Sequence, residues 1–148
     1  MKISFKSLLM GTVAAAALAS CASDGGALVV PEAPLEECVY KGDKTEFAVW
    51  APDAEAAKLR LYHDAMDETA FKTLDMKLGK DGLWKTTVKE DVKGAFYTFQ
   101  VQKNGQWLEE TEGIAAKAVG VNGTRGAVID WTETDPEGWA EDKSPKID

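Results

Sequence analysis

The chain is poor in the residues from which disulfide scaffolds, metal sites and hydrolytic triads are built, with two cysteines and one histidine among 148 residues. With Cys21 taken up by the N-terminal processing described below, Cys38 stands alone, and neither a disulfide nor a cysteine metal site can form within the chain. The single His63 excludes the common zinc arrangements and the nucleophile–histidine pairs of serine and cysteine hydrolases, unless that one residue fills every role. Its plainer reading is a polar residue closing the strand Lys58–His63. Basic charge is scarce as well: 17 Lys and Arg stand against 25 Asp and Glu. None of the basic residues cluster, so the surface repels a phosphate backbone and nucleic acid is excluded as a partner. Helical periodicity is almost missing, and the alanine-rich run Leu8–Ala19 is too short to cross a bilayer as a stop-transfer helix.

That short run is informative in another way. Lys2 and Lys6 precede it and Leu18-Ala19-Ser20-Cys21 follows it, the arrangement of a bacterial lipoprotein signal in which the cysteine becomes the lipid-bearing N-terminus. The expectation is a signal over residues 1–20, lipid on Cys21 as the membrane contact, and a place in the bacterial cell envelope, at the outer membrane or cell surface. The alternative is an ordinary secretory signal with an incidental cysteine. Removal of residues 1–20 leaves 15 basic and 25 acidic residues, a net charge of −10. Residues 21–43 are small, acidic and marked by Pro31 and Pro34, with Glu36 and Glu37 favouring solvent, and they read as a flexible tether.

Beyond the tether the pattern changes to short alternating runs. Thr45–Pro52 places Phe47, Val49 and Ala51 on one side and Ala48 and Trp50 on the other, so both faces are apolar and the strand is expected to be covered on both, ending where Pro52 cannot donate a ladder hydrogen bond. Leu59 and Leu61 share a face of Lys58–His63. Phe71–Leu78 fits strand and helix periods alike. Asp81-Gly82 turns the chain into Leu83–Val88. Ala95–Lys103 alternates Phe96, Thr98, Gln100 and Gln102 against Tyr97, Phe99 and Val101. Asn104-Gly105 is the sharpest hairpin signal and returns the chain through Gln106–Leu108. The final strand is Ala127–Asp130. Short strands at intervals of about ten residues predict an all-β sandwich over residues 44–132, followed by a linker over 133–148.

Three features invite a chemical reading. Glu109, Glu110 and Glu112 contain the paired carboxylates that glycoside hydrolysis needs, yet adjacent residues of a strand face opposite ways, and Glu110 with Glu112 share a face without a group that would separate their pKa values. They are expected on a solvated edge. Gly120–Gly126 lacks the lysine and following hydroxyl of a phosphate loop and reads as a shaped loop. Trp107 lies just beyond the hairpin turn, where an exposed indole is a platform for the apolar face of a sugar ring, or else folds back onto the sandwich edge. Trp50 and Trp84 are assigned to the core, and Trp131 and Trp139 flank the C-terminal linker.

In order along the chain stand Phe-Ala-Val-Trp-Ala-Pro (47–52), Leu-Arg-Leu-Tyr (59–62), Asp-Gly-Leu-Trp (81–84), Gly-Ala-Phe-Tyr-Thr-Phe (94–99), Ala-Lys-Ala-Val-Gly-Val-Asn-Gly (116–123) and Thr-Asp-Pro-Glu-Gly-Trp (134–139). Over about Thr45–Pro145 this resembles the N-terminal family 48 carbohydrate-binding module of type I pullulanases, which debranch α-1,6-glucans. The resemblance implies an immunoglobulin-like β-sandwich that precedes a catalytic (β/α)8 barrel. The family's catalytic carboxylates would lie beyond Asp148, so no residue of this chain inherits a catalytic role, and no cofactor or metal is implied. It further implies α-glucan and a catalytic barrel as partners and Trp107 as the carbohydrate-binding residue. The sequence departs from the family at Gly113-Ile114-Ala115, where Asp-Pro-Tyr is usual, and shows no clear match to the second stacking tryptophan or the site lysine of glycan-binding members. Two alternatives stand beside a glucan-positioning module: a piece of a pullulanase whose barrel lies downstream, and a free-standing surface lipoprotein using the sandwich for protein contacts.

Overall fold

The computed structural model describes residues 29–32 and 34–143. The expected signal over residues 1–20 and the lipid site Cys21 lie outside the described residues, as do residues 144–148 at the end of the expected linker.

Two antiparallel sheets face each other. One has the order β1 (Cys38–Tyr40), β2 (Thr45–Trp50), β6 (Leu83–Val88), β5 (Lys77–Leu78). The other has the order β4 (Lys72–Asp75), β3 (Ala56–Tyr62), β7 (Phe96–Lys103), β8 (Gln106–Trp107), with β9 (Gly126–Ala127) also pairing β7. This is the β-sandwich that the alternating runs predict, in the immunoglobulin-like form that the family resemblance implies. Its inner faces follow from the period of two: Phe47, Val49, Trp84 and Val88 from one sheet meet Ala57, Leu59, Leu61, Tyr97 and Phe99 from the other, all buried. Tyr97 joins the layers, its ring edge-on to Phe47 with centroids 5.3 Å apart and to Phe99 at 5.4 Å. Each such large side chain contributes about 1.5–3 kcal/mol by leaving water.

Strand β2, expected to be covered on both faces, has only one dry face. Along β2, Thr45, Phe47 and Val49 are buried, while Glu46, Ala48 and Trp50 are only half-covered. A two-layer sandwich gives each strand one dry face, and Phe47 with Val49 occupies it. Trp50 therefore sits on the outer face, where its indole N–H donates to the Val29 carbonyl at 2.9 Å. Trp84 is the core tryptophan of the pair, with its N–H bound to the Ala51 carbonyl at 3.0 Å.

Cys38–Tyr40, within the span expected as tether, pairs antiparallel with β2 as an edge strand, Cys38 opposite Phe47 and Tyr40 opposite Thr45. Glu37 beside it is buried rather than solvated. Three residues carry too little periodicity to announce a strand. Burial pushes the Cys38 thiol up to about 12, which keeps it an unreactive thiol at neutral pH. The ambiguous Phe71–Leu78 run resolves into β4 in one sheet and β5 in the other, with buried Met76 at the crossing between them. A segment that changes sheets presents no single face over its length, and so no single period.

At the hairpin, Asn104 and Gly105 both adopt positive φ, +52° and +71°. This is the primed turn that matches strand twist and that Asn-Gly predicts. Gly126 in β9 has no room for a side chain, because a β-carbon there would overlap the Tyr97 ring.

Candidate functional site

Trp107 is placed by register. It pairs with Gln102, whose neighbour on the other side is Ala56, so its side chain projects from the outer face of the β3–β7–β8 sheet. The indole is 38% exposed. Lys58, on the same face of β3 and opposite Gln100, brings its Nζ to 4.3 Å from the centroid of the indole ring. An ammonium at this distance is attracted by the ring quadrupole. The pair therefore combines an apolar aromatic surface with three N–H donors, the combination that a ring of alternating C–H and hydroxyl groups requires. Gln100 lies between, its amide donating to the Leu108 carbonyl at 3.0 Å and holding the chain just after Trp107 against β7.

Sequence reasoning did not bring out Lys58. Alternation already places it on the polar face of β3, but only the pairing of both β3 and β8 with β7 brings it to Trp107.

Further along the same face, Glu110 is not on a solvated edge. Its Oε1 accepts from Arg60 Nη1 at 2.8 Å, and its Oε2 accepts from the hydroxyls of Tyr62 at 2.5 Å and Thr98 at 2.6 Å. Burial opposes ionisation of Glu110, but the Thr98 and Tyr62 hydroxyls and the Arg60 charge outweigh it and hold the carboxyl below its ordinary range. Burial, followed by the bond to Glu110, pushes the Tyr62 phenol up. Arg125 lies over the Tyr62 ring at 3.5 Å and donates to the carbonyls of Asp64, at 2.8 Å, and Asp67. Glu110 is thus a clamp between the β8 return and the sheet. A carboxylate held ionised by three donors is an acceptor, not a proton donor.

Glu37 is the counterpart on the other edge. It is 1% exposed, its Oε1 accepts from the Ile114 N–H at 3.0 Å, and its Oε2 has no hydrogen-bond partner. Burial raises its pKa, the backbone N–H groups of Ala115 and Ile114 oppose the rise, and the Glu112 charge adds to it. Lys117 pairs with neighbouring Glu36 at 2.7 Å, so the 112–117 segment is fastened to the start of β1 at two points. Within this segment Gly113 has φ of +95°.

The remaining candidates fall into place structurally. The loop before β9 is shaped by Asn122 and Gly123, both at positive φ, and by Gly120, where a β-carbon would press on Ala65 and Phe96. His63 is exposed and stacks on Phe71, with centroids 4.1 Å apart. Trp131 and Trp139 are exposed in short 3-10 turns of the C-terminal segment, and Ile114, Val119 and Val121 are exposed in the segment before β9.

Comparison with known proteins agrees with this architecture. The profile described as carbohydrate-binding module 48 (isoamylase N-terminal domain) matches residues 34–115. A pullulanase of Bacillus subtilis is 37% identical over 91 residues, which are 62% of this chain and 12% of that protein. Among solved structures, a pullulanase variant of Paenibacillus barengoltzii complexed with maltotriose superposes with a TM-score of 0.74 at 41% identity, covering 82% of this chain and 18% of that one. The maltotriose complex of pullulanase from Anoxybacillus sp. LM18-11 gives 0.67 at 34% identity, covering 82% and 16%. The chain thus spans less than a fifth of the length of these relatives. The sandwich, its register and the match over residues 34–115 together make this chain a member of carbohydrate-binding module family 48, the isoamylase N-terminal domain family.

Proposed function

We propose that the chain acts as a non-catalytic module that binds or positions α-glucan for a pullulanase-type debranching enzyme, with Trp107 as the sugar platform. The observation that carries this reading is the half-exposed indole of Trp107 with the Lys58 ammonium over its ring, on a family 48 sandwich. Bond cleavage is assigned to a barrel elsewhere in such a protein. Titration of the full chain with maltoheptaose, followed by tryptophan fluorescence, tests it: a saturable change is expected that Trp107→Ala removes. An unchanged emission at millimolar sugar overturns the glucan role.

A second role, bracing the catalytic barrel, is favoured by a specific observation. Ile114, Val119, Val121 and Trp131 are all exposed within residues 114–131, and a contact surface is proposed there, since apolar residues left exposed side by side mark one. A barrel produced as a separate chain is expected to bind the module and to lose it on Val121→Asp. Recovery of cell-surface proteins instead of the barrel favours the free-standing lipoprotein reading. For the N-terminus, lipid on Cys21 and residence in the bacterial cell envelope are proposed from the Leu-Ala-Ser-Cys signal. Incorporation of labelled fatty acid that Cys21→Ser abolishes is the expected result.

A further inference from the structure

We infer that Glu55 is the positioning residue of the Trp107 platform, an inference that rests on the glucan reading above. The two amides at the tip of the β7–β8 hairpin are not left to solvent. Glu55 Oε1 accepts from the Asn104 N–H at 3.0 Å and Oε2 from the Gly105 N–H at 2.9 Å. Successive N–H groups in a positive-φ turn form a small concavity that favours an anion, and the Glu55 carboxylate fills it. The same residue is fixed from behind, since its own N–H donates to the Gln102 carbonyl at 2.8 Å. Gln102 in turn donates its side-chain amide to the Gly105 carbonyl at 3.1 Å and is the cross-strand partner of Trp107.

The two-residue strand β8 is held on its far side by the Leu108 N–H to the Val101 carbonyl at 2.9 Å and by the Gln100 amide, so the turn is the constraint on the indole from the near side. Glu55 supplies that constraint from the loop after Pro52, where β2 has ended. Both of its carboxylate oxygens are taken by the turn amides. It acts by removing hairpin freedom that a ligand would otherwise have to freeze, and this freedom is worth about three- to tenfold in affinity for one ordered aromatic side chain.

The test uses the full chain with maltoheptaose as the probe. Glu55→Ala is expected to weaken binding about three- to tenfold by this ordering cost. Glu55→Gln is expected to fall between wild type and Glu55→Ala, because its amide oxygen still accepts from one N–H while its NH2 faces the other. In a Trp107→Ala background Glu55→Ala is expected to add nothing, since coupled residues are non-additive. Two readouts need no sugar: amide hydrogen exchange at Asn104 and Gly105 should quicken in Glu55→Ala, and the emission anisotropy assigned to Trp107 by difference should drop, with the melting temperature of the sandwich little changed. Equal losses with and without Trp107, or unchanged exchange and anisotropy in Glu55→Ala, overturn the inference. If Trp107→Ala itself binds maltoheptaose like wild type, the glucan reading fails, and exchange with anisotropy still decides whether Glu55 sets the hairpin.

Discussion

The Glu37 carboxylate lies against the α-carbon of Gly113, in the space that a β-carbon there would occupy, and its Oε1 binds the next N–H, that of Ile114, at 3.0 Å. Gly113 also holds φ at +95°, where side chains are strained. Gly113→Ala is therefore expected to displace Glu37 or break the turn, at a cost of about 2–4 kcal/mol from strain and loss of a buried hydrogen bond. Urea unfolding of the full chain, monitored by Trp84 emission, measures it.

The same carboxyl sets a pH dependence. Burial places the folded pKa of Glu37 above its ordinary value of 4.5, so the folded state holds the proton more tightly than the unfolded chain. Its contribution is complete below that ordinary value and is lost as pH rises through the raised folded one. Glu37→Gln keeps a neutral side chain of the same shape. The difference in stability between Glu37→Gln and wild type is expected to grow in favour of the variant as pH rises, as measured by thermal melts across pH 4 to about 8.

Glu110 has the opposite sign. Its folded pKa is lowered, so its bonds to Arg60, Tyr62 and Thr98 stabilise the fold above the ordinary carboxylate range and weaken as pH falls through the lowered value. Glu110→Gln is expected to cost about 1.5–3 kcal/mol near neutral pH, the range for hydrogen bonds to a charged group. The cost should shrink in acid, and denaturant titrations at two pH values would show the convergence.

Thr45 carries a buried hydroxyl with no hydrogen-bond partner, at the point where β2 pairs with Tyr40 and Val88. Thr45→Val replaces it with a methyl group of similar size. The variant is expected to be more stable by about 1 kcal/mol, since an unsatisfied buried donor costs that much or more. A rise of roughly 4 °C in the melting temperature is the corresponding signal.

Lys58 provides donors beside Trp107 without being needed to fold β3. Lys58→Ala is expected to weaken maltoheptaose binding about fivefold, the value of one net hydrogen bond. Calorimetric titration at matched ionic strength is the measurement, and unchanged affinity would remove Lys58 from the site.

Much of the fold is legible from residues alone where alternation is strict. Phe96–Lys103 declares its faces, and Tyr97 and Phe99 fall in the core with Thr98 and Gln100 outward. Asn104-Gly105 declares its turn type because few residues tolerate two successive positive φ values. The edge strand Cys38–Tyr40, the sheet change at Met76 and the outward position of Trp50 are not legible. Cys38–Tyr40 is too short to show a period, although its partner in β2 lies only five to nine residues on, and the other two depend on which segments pack alongside.

The candidate site divides in the same way. Local chemistry along the chain was enough to determine an all-β chain and the hairpin with a tryptophan just beyond it, since alternation and turn preference are properties of neighbouring residues, but it left open whether that indole is exposed, which the fold decided. Only the tertiary structure decided that Lys58 lies over Trp107, that Glu55 holds the turn, and that Glu37 and Glu110 are fastened rather than solvated. Apart from the Thr98–Glu110 bond, those relationships join Glu37, β3 and the loop after β2 to segments at least 48 positions away, and it is the packing of two sheets, through their register, that brings such residues together.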